Sequence, residues 1–210
     1  MSVNFGNMGL QAGNSPENAA QFMVRQILRG EVATAMIVKI AAVDTKAQTV
    51  DVVPMVTQVS ATGTPIPHST IHGVPYAYQQ AGVASIQIPP TIGDMGIVVC
   101  AQRDITRVKA TKASAPPSTL RTHHLSDAMY VATLWTGQQA KHTISFDQKT
   151  GITITSSETV TINAKSQFND DVAIKGKLNA TGDVEAGGIS LQNHVHPGVQ
   201  PGSGETGKAQ

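Results

Sequence analysis

His194 and His196, in the run His194-Val195-His196-Pro197-Gly198, are the residues of this chain best spaced to hold a metal ion. On an extended backbone, positions i and i+2 point to the same side, so both imidazoles face one way. Two histidines are too few to close a site within one chain. Around a three-fold axis they become six nitrogen donors, an all-imidazole octahedron. Zinc usually stops at four ligands, whereas iron, nickel or cobalt accept six. A solvent-exposed pair is the plain alternative, and what separates the two readings is the structure that leads up to the pair. Parity adds a requirement. Ile189 and Leu191 follow Gly187-Gly188 at odd positions while the histidines are even, so a second break near Gln192-Asn193 is needed for all to face one axis.

The other candidates for chemistry are weaker. Gly202-Ser203-Gly204-Glu205-Thr206-Gly207-Lys208-Ala209 matches a phosphate loop up to its last letter, where Ala209 replaces the magnesium-holding Ser or Thr. Such loops work by aiming amides at the start of a following helix, and the sequence has only Gln210 after it. His68 and His72 are four apart, but Pro65, Pro67, Gly73 and Pro75 forbid a metalloprotease-type helix, so both read as loop residues. His123-His124 and His142 have no acid or cysteine at useful spacing. Asp170-Asp171 are adjacent, so on a strand they point to opposite faces and cannot act as a pair. Cys100 ends an apolar strand and reads as core. The basic run Arg103, Arg107, Lys109, Lys112 could touch phosphate, but single-strand binders stack bases on aromatics, and this run has none. A solvated or protein-binding face fits it better. With no G-x-S-x-G and no acid pair, the chain reads as a non-enzyme.

What precedes the histidines is the most regular part of the chain. Ile144, Phe146, Ile152, Ile154, Val160, Ile162, Ala164, Phe168, Val172, Ile174, Leu178, Ala180, Val184 and Ala186 all stand at even positions, with Ala173 the single odd exception. Side chains in a strand alternate faces, so this parity keeps one face apolar through successive short strands. The pairs also repeat. Ile152/Ile154 recurs eight residues later as Val160/Ile162, with Phe168 eight after Val160; Val172/Ile174, Leu178/Ala180 and Val184/Ala186 then recur at six. A regular repeat of this kind signals a stacked solenoid or an intertwined β-helix. One narrow chain has little of its own to cover the stripe, so identical stripes meeting on a shared axis are the simplest remedy. Half of a β-sandwich, its other sheet upstream, is the alternative.

Upstream elements fit a β-rich chain. Charged residues are 14% and aromatics 4% of 210 residues, with 19 Gly and 11 Pro, a composition suited to strands and turns. At a net charge of +1 no global field would hold the chain on nucleic acid or anionic lipid. A single cysteine excludes a disulfide framework within one chain. The apolar stretch 32–43 is too short and too polar to span a bilayer, and the start MSVNFGNMGL lacks the pattern of a signal peptide. Residues 1–14 read as extended and Gly/Asn-rich. Ser15-Pro16-Glu17 then predicts a helix start, with Ser as N-cap, followed by Phe22, Met23, Ile27 and Leu28 and closed by Gly30. Strand-like runs at 35–40, 49–53, 84–88 and 96–100 predict a small barrel, of which the five-stranded OB type is one common form. Residues 103–111 predict a short basic helix, and Ala115-Pro116-Pro117-Ser118 a linker.

The run at 182–199, GDVEAGGISLQNHVHPGV, with the Gly-rich end behind it, resembles the C-terminus of the central tail spike of contractile-tailed phages, the baseplate assembly protein V family. Asp94-Met95-Gly96-Ile97-Val98-Val99 and Leu125-Ser126-Asp127-Ala128 are similar, less specifically, to that family's barrel and following segment. The resemblance implies an all-β chain in which an N-terminal OB-type barrel is followed by a trimeric β-helix with a metal-capped apex. By it, residues 1–30 form an extension and short helix, 31–112 the barrel, 113–142 a linker and connecting segment, 143–188 the β-helix and 189–210 the apex and tail. It further implies a homotrimer in the virion, its barrel seated on a baseplate hub protein and its tip meeting the host outer membrane on sheath contraction. One iron ion per trimer would be held by His194 and His196 of each chain. The expected trimer core is Ile152, Ile154, Val160, Ile162, Phe168, Val172, Ile174, Leu178 and Val184. An OB-fold single-stranded nucleic-acid binder and a trimeric fibre or secretion-system spike are the alternatives.

Overall fold

Helix α1, Pro16–Glu31, begins where the Ser-Pro-Glu signal predicts it: the Ser15 side chain accepts the Asn18 N–H at 3.2 Å, and Pro16 occupies the first turn. In the computed structural model residues 13–60, 62–198 and Gly202 are described; the expected extension at 1–12 and the phosphate-loop-like tail from Ser203 onward lie outside them. The chain divides into two units, 1–157 and 158–210.

The first unit is built on strands β1 (Ala35–Asp44) and β2 (Thr49–Pro54). Two short hairpin strands, β3 (Gln58–Val59) and β4 (Pro65–Ile66), come next, followed by β5 (Ile71–Pro75). Then come β6 (Gln79–Ala81), β7 (Ala84–Ile86), β8 (Met95–Cys100), helix α2 (Thr106–Thr111), a 3-10 turn at Leu125–Asp127 and β9 (Ala128–Trp135). Five strands form one sheet in the order β5-β2-β1-β8-β9. Alternation does the sorting: Val50, Val52 and Pro54 of β2 and Gly96, Val98 and Cys100 of β8 point inward while their neighbours face out. Val38, Ile40, Val50, Val52, Val74 and Val98 are almost wholly buried, each contributing about 1.5–3 kcal/mol of apolar burial. Register shifts in β1 after Ile40 and between β8 and β9 curl the sheet. Its outer strands meet at one parallel bridge, Tyr76 to Tyr130, beside a 3.2 Å hydrogen bond donated by the Ala77 N–H to the Tyr130 carbonyl. The strand order is thus that of a partly open OB-type barrel, and the sheet is not closed beyond this bridge.

Three sequence expectations change here. The run at 84–88 does not join the barrel; β7 pairs only with β6 in an exposed hairpin around Ala81, Gly82, Val83 and Ala84. The barrel's fifth strand is instead β9, which lies beyond the proline linker in a stretch expected to be connecting segment. His72 sits within β5 rather than in a loop, its Nδ1 2.7 Å from Asp51 Oδ2.

Past β9, strands β10 (His142–Asp147) and β11 (Gly151–Ser156) form a hairpin of their own. Its turn is set by the Asp147 carboxylate, which accepts the Lys149 and Thr150 N–H groups, and by Gly151 at φ 77°. In the second unit, residues 158–184 form no strand among the described residues, so no coil of this stretch stacks on another within one chain. The structure therefore shows a mostly β chain and does not show a β-helix. Nor does it show a self-stacked solenoid, which would pair turn upon turn with itself. Among the described residues of this unit, one ladder joins β12 (Glu185–Ala186) to β13 (Ile189–Ser190).

Candidate apex site and the stripe leading to it

The apex is assembled from a two-residue hairpin and the turn that follows it. Gly187 and Gly188 both take positive φ, 59° and 81°, the conformation a tight primed turn requires and one that side chains resist. Asp183 then fastens the returning strand. Its carboxylate accepts the Ser190 hydroxyl and the Gln192 N–H, while the Ser190 oxygen accepts the Asn193 N–H at 2.8 Å. The Ser190 hydroxyl first, and the Gln192 amide next, hold the Asp183 carboxyl below its ordinary range. The chain turns through 191–193, and the His194 N–H donates to the Ser190 carbonyl at 3.1 Å. This is the second break that parity demands near Gln192-Asn193.

The turn brings the two histidines together. Their ring centroids lie 5.1 Å apart, edge to face at 81°. His194 Nδ1 is 3.0 Å from the Ser190 carbonyl oxygen and 3.2 Å from that of Leu191. Carbonyl oxygens only accept, so Nδ1 carries the proton and Nε2 presents its lone pair outward. That is the arrangement of a metal-ligating histidine oriented through its other nitrogen. No group of three or more His, Cys, Asp or Glu ligands gathers within one chain among the described residues. One chain offers two donors.

The stripe expected to form a trimer core is uncovered in the single chain. On the β10–β11 hairpin Ile144 pairs with Ile154 and Phe146 with Ile152, so four apolar side chains share one face. Ile152, Ile154, Val160, Ile162, Phe168, Val172, Ile174 and Leu178 are each more than half exposed, and Val184 is 39% exposed. Among the described residues no upstream sheet covers the Ile152 and Ile154 face.

Sequence reasoning missed a buried ion cluster in the first unit. Asp127, fully buried, accepts from Arg121 Nε at 2.6 Å and Nη2 at 2.9 Å, and from the Ile105 N–H at 3.0 Å. Arg121 Nη2 also reaches Asp104 Oδ1 at 2.9 Å, and Thr119 donates its hydroxyl to Asp104 Oδ2 at 2.8 Å. Arg121 holds the Asp127 carboxyl below its usual range; for Asp104 the Thr106 hydroxyl and amide do most of this. The cluster lies among the N-terminus of α2, the proline linker and β9, and it pins the linker to the barrel. Cys100 is buried in this core, its thiol pushed up by desolvation and then by Asp127. Of the basic run, Lys109 donates to the Ser126 carbonyl at 3.2 Å. Tyr76, Tyr78 and Tyr130, the three tyrosines of the chain, line a cavity of about 310 Å³ at the barrel seam. Burial and the Tyr78 hydroxyl push Tyr76 up to about 12.

Residues 36–133, the five-stranded sheet but for the last two residues of β9 and the first of β1, match the family model of the phage protein Gp138 N-terminal domain. Residues 188–210, from the second turn glycine onward, match the GpV Apex motif. No curated protein matches the chain. An N-terminal domain of one phage protein and the apex motif of another, joined by an apolar-striped segment, are consistent with a phage tail spike protein.

Proposed function

We propose that three copies of the chain form a needle at the tip of a contractile phage tail, which pierces the host outer membrane when the sheath contracts. The observation that carries this reading is the exposed stripe ending at the two paired histidines. Ladder partners missing within one chain come, in an intertwined β-helix, from the other two. The same association removes the stripe from water, the dominant favourable term in assembly. In this reading the barrel seats the trimer on the baseplate hub, and the role is mechanical rather than catalytic.

The apex residues fit a metal ion shared among three chains. His194 is oriented by two carbonyls through Nδ1, His196 lies beside it, and Asp183 with Ser190 fixes the turn on which both stand. Two donors per chain make six, a number that suits iron better than zinc. Coordinate cross-linking of three chain ends is what such an ion supplies at a tip too narrow for an apolar core. Native mass spectrometry with elemental analysis of the same sample tests the reading. A species of three 22.0 kDa chains, 66 kDa, holding one iron is the expected result. A monomer overturns the needle, and a metal-free trimer overturns the six-histidine apex. In tail particles, an Ile154→Asp spike should abolish genome delivery, and undiminished delivery would contradict the piercing role.

A further inference from the structure

A third histidine stands on the hairpin face that carries the first four residues of the stripe. His142 opens β10 and pairs in register with Ser156, the last residue of β11. Both are even-numbered, so they share the hairpin face that carries Ile144, Phe146, Ile152 and Ile154, while Thr143, Ser145, Thr153 and Thr155 take the opposite one. The His142 Nδ1 and the Ser156 hydroxyl lie 2.8 Å apart. In the tautomer with the proton on Nδ1, the Ser156 oxygen accepts it and Nε2 is left with a free lone pair on the apolar face. A polar ring in this position is costly to bury alone. Three such rings, one from each chain, supply their own remedy.

We propose that the assembled spike carries a second cation site, formed by one His142 from each of three chains and oriented by Ser156, at the barrel-side end of the stripe. The inference rests on the trimer proposed above. Its ligand is a divalent transition-metal ion of borderline softness that accepts three imidazoles and a water, for which zinc is the best match. The site differs from the apex in donor number, with three nitrogens instead of six, and so in the metal it prefers. The serine hydroxyl, accepting from Nδ1–H, would aim the opposite nitrogen of His142 as the Ser190 and Leu191 carbonyls do for His194.

The test uses the full chain carrying His194→Ala and His196→Ala, equilibrated with zinc, freed of excess metal and weighed by native mass spectrometry. A trimer with one zinc is expected. Adding His142→Gln should release the zinc and leave the trimer, and adding Ser156→Ala should weaken zinc binding by about 10–100-fold. With cobalt as the probe, the chain that retains His142 should show the intense visible bands of a four-coordinate ion. A trimer that takes up no zinc, a zinc unaffected by His142→Gln, or a cobalt complex lacking those bands overturns the site. A monomer overturns the trimer as well, and its mass separates that failure from the others.

Discussion

Replacing Ile154 with aspartate asks directly whether the even-numbered face lies on a shared axis. Ile154 is 61% exposed in the single chain, opposite Ile144 in the hairpin. Full burial of such a side chain is worth about 1.5–3 kcal/mol, so covering the exposed part contributes roughly 1–2 kcal/mol per chain, which the substitution forfeits. A carboxylate at an apolar axis must also be discharged. Starting from an ordinary aspartate value near 3.9, keeping the proton at pH 7 costs about 4 kcal/mol. The penalty is then about 5–6 kcal/mol per chain and about 15–18 kcal/mol per trimer. That exceeds the roughly 12 kcal/mol of a nanomolar association. Burial raises this carboxyl's pKa in the trimer, so assembly is favoured below the free value and lost as pH rises. Analytical ultracentrifugation should find monomer at pH 7 and recovered trimer near pH 4, with the unsubstituted chain trimeric at both. Thr153→Asp, one residue away on the polar face, should leave the trimer intact at pH 7. A stable Ile154→Asp trimer at pH 7, or equal loss with Thr153→Asp, would refute an axial stripe.

Other expectations concern the barrel and the apex. Arg121→Ala strands the buried Asp127 with only the Ile105 amide and should destabilise the first unit by about 3 kcal/mol, read as a drop in denaturant midpoint at unchanged slope; an unchanged midpoint contradicts a structural role. Because Asp104 and Asp127 are held below their unfolded values, their contribution is complete above about pH 4 and is lost as pH falls through the folded values. Asp127→Asn should therefore flatten the acid limb of stability. Gly96→Ala puts a methyl against the Tyr130 hydroxyl and the Ala132 carbonyl, where β8 and β9 pack. It should cost about 1–3 kcal/mol, and a neutral result by thermal melting would mean that the strands separate easily. His194→Ala with His196→Ala should remove the apex metal and keep the trimer, since the stripe is untouched; dissociation to monomers would contradict this.

Local chemistry made some elements readable from residues alone. Ser15-Pro16-Glu17 marks α1 because capping acts within three residues, and Gly187-Gly188 marks the apex turn because few other residues take positive φ twice in succession. The barrel's last strand was not readable in this way. Pro116-Pro117 suggests a boundary, and nothing local indicates that Arg121 returns to two carboxylates at positions 104 and 127. Such a contact has no periodic signature. Ile86 and Ile88 misled for a related reason: alternation says that one face is apolar, and it does not say which sheet that face meets. The histidine pair was legible as spacing, whereas the carbonyls that orient His194 depend on a turn that only the folded chain displays.

In the proposed needle, the manner in which β9 leaves the barrel would determine how a load is carried. β9 is ladder-paired with β8 from Cys100↔Ala128 to Met95↔Trp135, and the chain runs from its far end toward the β10–β11 hairpin. Force delivered along β9 is parallel to the strand and perpendicular to its hydrogen bonds. The bonds must then yield together, in shear, instead of opening one by one from an end. At the strand's other end Arg121 ties down Asp127, so in the proposed needle thrust would enter the sheet and not the proline-rich loop. For a needle of the kind proposed, resistance to load would depend on the rate of forced rupture more than on equilibrium stability. In the proposed needle the short run from Asp127 to Trp135 would be the coupling between the seat and the shaft.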